Sequence, residues 1–143
     1  MNIPRENILR GVVRLARGRL ASGAEIDFLV LSWGVMPELE FFSGSIEEIA
    51  FVSESIRPEF REFVLIYELE LMGLNGSRPE QCVEVLRGEL ELVPPCARME
   101  YLEFRYCFFE ELINQFQTSA SPEKLAEWSE CLKYLHPIAW RIS

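Results

Sequence analysis

The chain has a single histidine, His136, among 143 residues. Nucleophilic catalysis of the Ser-His or Cys-His kind needs an imidazole beside the nucleophile. His136 stands before Pro137 at the expected end of a helix, where its ring is placed to meet the last free carbonyls. The Glu-x-x-His pairs of a di-iron bundle cannot be assembled from one histidine. Four cysteines are present, Cys82, Cys96, Cys107 and Cys131, but no two of them have the close C-x-x-C spacing of a zinc site. The first residues lack the apolar core and small-residue cleavage site of a secretory signal, so the thiols are expected to be reduced and mostly buried in a cytoplasmic protein. Phosphate-loop, dinucleotide and H-E-x-x-H motifs are missing as well. The longest apolar run, residues 28–36, is broken by Ser32 and Gly34 and closed by Pro37, well short of the roughly 20 residues that cross a bilayer. These absences lead to the expectation of no catalytic residues, no metal, no cofactor and no membrane span.

Apolar residues make up 49% of the chain and charged residues 26%, the balance of a folded protein rather than a disordered one. A chain of this length buries roughly two-thirds of its unfolded surface in one core, and a single helical domain over residues 1–143 is expected. The net charge of −9 is uneven. Residues 1–23 hold five arginines and one glutamate, while the remainder has nine basic residues against 22 acidic ones. An acidic body repels phosphate backbones and attracts basic partners.

The most apolar stretch, residues 58–73, sets the expected architecture. Phe60, Phe63, Val64, Tyr67 and Leu71 share one helical face, and Leu65, Ile66, Leu69 and Met72 fill much of the rest. Such a helix needs cover on several sides, and the helices around Val83, Tyr106 and Trp128 each offer one apolar face. Ser77-Arg78-Pro79-Glu80 reads as a capping box opening a helix that Pro94-Pro95 ends. Residues 97–117 carry two apolar rows, one of them Met99, Leu102, Tyr106, Phe109, Ile113 and Phe116. A polar row of Glu100, Glu103, Glu110, Asn114 and Gln117, with Cys107 among them, lies opposite. Ser121 caps a last helix with Pro122 at its first position, ending at His136-Pro137.

The first half is read the same way. Residues 4–20 present Leu9, Val12, Val13, Ala16 and Leu20 as a stripe, with Arg10, Arg14 and Arg17 on another face. Gly23 serves as a left-handed cap. Residues 24–33 are assigned to a short buried helix, a strand near 26–33 being the alternative that a continuous apolar run leaves open. Ser45-Ile46-Glu47-Glu48 fits a capping box for a helix over 46–55. The expected fold is all-α, a compact bundle of about five to six helices around the 58–73 helix.

In size, acidity and lack of catalytic groups the chain resembles small bacterial immunity proteins that neutralise nuclease or other toxins. That resemblance implies a non-enzymatic inhibitor of a basic, nuclease-type toxin domain, with neither nucleic acid nor membrane as its direct partner. Carboxylates on rigid helices steer and hold a basic surface. The residues expected to do so are Glu38, Glu40, Glu47, Glu48 and Glu54, with Phe41 or Phe42 as an apolar anchor. Two other functions compete: a small acidic chaperone or adaptor acting as a dimer, and an enzyme using two convergent carboxylates with a raised pKa.

Overall fold

The computed structural model describes residues 6, 10–19, 23–32, 43–46, 49–72 and 79–142, with residues 13, 46, 72 and 137–142 described by backbone alone. The chain divides into two compact units, residues 2–73 and 74–143. The first holds strands β1 (Val12–Arg19), β2 (Glu25–Leu31), β3 (Ser43–Ile46) and β4 (Ile49–Ser53), followed by helix α1 (Pro58–Met72). The second holds α2 (Pro79–Leu92), α3 (Arg98–Phe116) and α4 (Pro122–Ile142).

A four-stranded mixed sheet therefore replaces the expected all-α bundle. Its order is β1-β2-β4-β3. β1 and β2 form an antiparallel hairpin with Arg19 opposite Glu25 and Ala16 opposite Phe28. The turn includes Gly23 at φ 90°, a left-handed conformation that glycine adopts without steric penalty. Gly23 thus supplies the positive φ expected of it, in a hairpin rather than at a helix end. β2 runs parallel to β4, with Phe28 beside Ala50 and Val30 beside Val52. β3 pairs antiparallel with β4 and leaves only residues 47 and 48 between the two strands.

Three helix expectations fail here, each for a physical reason. In 12–19 the adjacent Val12 and Val13 stiffen χ1 and Gly18 weakens a helix, so the sheet ladder prevails over the arginine spacing. In 25–31 the burial runs exposed at Glu25 and Asp27 and buried at Phe28, Val30 and Leu31, so the strand alternative was the correct one. The IAFVS segment of β4 is buried from Ala50 to Ser53 on both faces of the sheet, which erases the period-two signal. Ser45, expected to cap a helix, lies exposed in β3 instead.

α1 begins at Pro58 as expected, but the neighbours in its own unit are β3 and β4. Phe60, Val64, Leu65 and Tyr67 are buried with Phe28, Val30, Phe51 and Val52. Ser43 on β3 donates its hydroxyl to the Glu68 carboxylate at 2.8 Å, tying the edge strand to the helix.

In the second unit α4 packs on both α2 and α3. The buried face of α3 carries Tyr101, Leu102, Arg105, Phe108, Phe109 and Leu112, joined by Leu86 and Leu90 from α2 and Trp128, Cys131 and Leu135 from α4. The backbone N–H of Lys124 donates to the Ser121 hydroxyl at 3.2 Å, so the expected cap forms. α4 does not stop at His136 but continues through Pro137 to Ile142. Proline deletes one donor from the helical ladder, and residues beyond it can keep helical dihedrals at that cost. His136 is consequently an exposed residue within the helix, its ring 6.0 Å from that of Tyr106.

Candidate functional site

Three clusters of polar side chains stand out, one in the first unit and two in the second. In the first unit the chain leaves β4 in a tight turn before α1. The Ser53 hydroxyl accepts from the Ser55 backbone N–H at 3.0 Å, and the Glu54 N–H donates to the Leu31 carbonyl at 2.8 Å. Arg61, one turn into α1, closes this corner: its Nε donates to the Ile56 carbonyl and its Nη2 to the Glu54 carbonyl, each at 2.8 Å. The guanidinium is thereby held on backbone oxygens in a side chain only 9% exposed.

Beside Arg61 opens a pocket of about 320 Å³. Arg14, Ala16 and Gly18 line it from β1, alternate residues of the strand and so on one face of the sheet. Phe28 lines it from β2, and Pro58, Arg61 and Glu62 from the N-terminal end of α1. A Cβ on Gly18 would stand 3.3 Å from the Phe28 ring, so the glycine makes room for that ring against β1. The pairing register shifts between Val12 and Arg14, where the strand enters this wall. Arg17 also borders the pocket, but its guanidinium is engaged with Asp27 at 3.0 Å and Glu25 at 3.4 Å.

The ion pairs among the described residues include neither Arg14 nor Arg61. Burial pushes the Arg61 guanidinium below its ordinary pKa and the positive charge of Arg14 pushes the same way, while the fields of Glu54 and Glu59 oppose them in part. Two like charges therefore face one small cavity.

The second cluster lies on the exposed side of α3. Glu100, Glu103, Cys107, Glu110, Asn114 and Gln117 are all exposed, as the polar row read from the sequence requires, and Glu111, which that row did not include, is exposed beside them. At 100° per residue they span about a third of the helix circumference, together with Met99. Met99 was expected on the apolar row, yet it is 53% exposed and shares this carboxylate side. Burial raises the Cys107 thiol above its ordinary pKa, and the fields of Glu110, Glu103 and Glu111 add to that. The carboxylates thus act on one spot of the ridge together. Two of the four cysteines, Cys96 and Cys107, are exposed, which corrects the expectation of mostly buried thiols; Cys82 and Cys131 are buried.

The third cluster is internal. Arg105 on α3 reaches Glu89 on α2 with both Nε and Nη2 at 2.8 Å, a bidentate pair whose side chains are fully buried. The Tyr101 hydroxyl donates to the same carboxylate. The guanidinium lies 4.6 Å from the Phe108 ring centroid and 5.2 Å from that of Phe109. Burial, followed by the adjacent Glu89 carboxylate, raises the Tyr101 hydroxyl well above the usual phenol pKa.

Of the partner-contact residues expected from the sequence, Glu38, Glu40, Phe41, Phe42, Glu47 and Glu48 lie outside the described residues. Glu54 is described and exposed, at the turn that Arg61 closes. The Arg14–Arg61 convergence was missed because the sequence places Arg14 on a helical face and gives no sign that Arg61, within the 58–73 helix, meets it. The Glu89–Arg105 pair was missed because both residues sit among exposed-looking charges. The only available signal was their position on faces otherwise apolar.

No three of His, Cys, Asp and Glu converge as metal ligands among the described residues. No described helix is long and apolar enough to cross a membrane. The architecture defines a mixed α/β chain with an arginine-bordered pocket in one unit and a carboxylate ridge in the other. No family model, curated protein or solved structure matches it.

Proposed function

We propose that the chain is a non-enzymatic binding protein that holds a basic protein partner against the carboxylate ridge of α3, as an immunity protein occludes a nuclease-type toxin domain. The observation that carries this reading is the convergence of Glu103, Glu110 and Glu111 around Cys107 on one exposed helix face. Met99 at the start of the ridge supplies an exposed apolar side chain beside the charges. A partner anchored on an apolar side chain and framed by charged contacts is the usual layout of a tight interface. The rigid helix presents the carboxylates with little ordering to be done on binding. Along α3 the ridge from Met99 to Glu111 extends about 18 Å at 1.5 Å per residue, a length suited to one basic groove or helix of a partner.

Titration calorimetry against a basic nuclease toxin domain, at low and at high salt, tests the reading. Binding should weaken steeply with salt. The charge reversals E103K, E110K and E111K together should reduce affinity by about a hundredfold or more while the circular dichroism spectrum stays that of the parent. Failure to bind, or binding indifferent to the three reversals, overturns the ridge as the contact surface.

A further inference from the structure

The β1–α1 pocket is a separate feature with the opposite charge, and we infer that it is a binding site for a small phosphate monoester whose organic group is apolar or aromatic. Its charge comes from Arg14 and Arg61, which have no carboxylate partner among the described ion pairs. Arg61 is a buried cation whose Nε and Nη2 are engaged by backbone carbonyls. Those carbonyls hold the guanidinium plane without cancelling its charge. Arg14 stands across the pocket on an edge strand, exposed and able to close on a bound group. The open fork of Arg14, together with the N–H donors that the turn leaves on Arg61, matches the oxygen geometry of a phosphoryl group and the negative charge it carries at neutral pH.

The rest of the lining fixes the remainder of the ligand. Pro58 opens α1 at the pocket, so the positive end of the helix adds to the field there. The Phe28 ring, Ala16 and Gly18 form an apolar wall beside Arg14 and across from Arg61. Pockets of about 300 Å³ and above take small molecules rather than lone ions, and this one, at about 320 Å³, holds a single ring with its phosphoryl group. Glu62, next to Arg61 on α1, opposes an anion. A protein that is acidic overall thus keeps a confined positive site, which long-range attraction alone would not fill with polyanions.

Phenyl phosphate is the probe, with inorganic phosphate and benzoate as the other arms. Binding to the full chain is followed by calorimetry and by thermal shift at matched ionic strength. The site predicts saturable binding of phenyl phosphate, tighter than that of inorganic phosphate or benzoate. Arg14→Gln should weaken it about tenfold or more through loss of a charge-assisted fork. Glu62→Gln should strengthen it, and Arg19→Gln, whose guanidinium is paired with Glu25, should leave it unchanged. Arg61→Lys keeps the charge and loses the fork, so it should weaken binding; because Arg61 also closes the turn, its result counts only if the variant melts within a few degrees of the parent. Three outcomes overturn the inference: no saturable binding of phenyl phosphate, binding unaltered in Arg14→Gln, and benzoate or inorganic phosphate binding as tightly as phenyl phosphate.

Discussion

Replacing Glu89 with leucine should be among the most damaging single changes in the second unit. The carboxylate is fully buried and accepts two hydrogen bonds from Arg105 and one from Tyr101. Removing it leaves the guanidinium charged in the core, since arginine does not shed its proton in proteins. Breaking a buried pair from one side costs about 3–5 kcal/mol. The phenol also loses its acceptor, a desolvation cost of about 1–3 kcal/mol that overlaps the first. The rings of Phe108 and Phe109 already contact the guanidinium in the parent, so they are present in both chains and do not replace the lost carboxylate. At about 3–5 °C per kcal/mol for a chain of this size, the melting temperature should fall by about 10–20 °C. The triple variant E89L/R105M/Y101F removes all three polar groups together and should recover most or all of that loss, since an apolar replacement of a buried pair is often neutral or stabilising. Calorimetric melting and urea titration of the two variants supply the numbers. If E89L melted within about 2 °C of the parent, or if the triple variant were less stable than E89L, the buried pair would not be the linked unit described.

The same cluster predicts an alkaline dependence. Tyr101 holds its proton in the folded chain to a pH well above the phenol value of the unfolded chain, so its contribution is fully present below about pH 10. Above that pH the unfolded state loses the proton first and stability declines. Urea midpoints measured from neutral pH upward should show this decline, and Tyr101→Phe should flatten it; an unchanged slope would remove Tyr101 as its source. On the ridge, the raised Cys107 pKa predicts slow alkylation at neutral pH in a Cys96→Ser background, accelerating only above the ordinary thiol range. The pair E103Q/E110Q should shift that acceleration to lower pH. Mass spectrometry of iodoacetamide-treated protein reads both, and an unshifted profile would show that the carboxylates do not act on the sulfur.

The chain from Pro58 onward was readable because its helices carry their own punctuation. Pro58, Pro79 and Pro122 each open a helix, Ser121 caps one, and the α3 rows separate buried from exposed side chains at nearly every position. Met99 departs because it sits in the first turn, beyond the cover of the core. The first half was misread where two periodicities coincide. Arg10, Arg14 and Arg17 fit a helical face, but β1 is an edge strand with charge on both faces, so alternation had no apolar partner to reveal it. β4 hid its period by being buried on both sides.

The pocket followed the fold into obscurity. Arg14 and Arg61 are far apart in the chain, and the hairpin register together with the turn at Glu54 brings them to one cavity. The ridge needed no tertiary information, since one helix carries it.

The central structural claim is that residues 12–31 form a hairpin whose second strand pairs in parallel with residues 50–53. Nuclear Overhauser contacts along the backbone test it most directly. The account predicts cross-strand contacts between Ala16 and Phe28 and between Val30 and Val52, with extended-chain secondary shifts through both strands. Sequential helical contacts from residue i to i+3 through 12–31, with no cross-strand contacts, would contradict it and remove one wall of the proposed phosphate pocket.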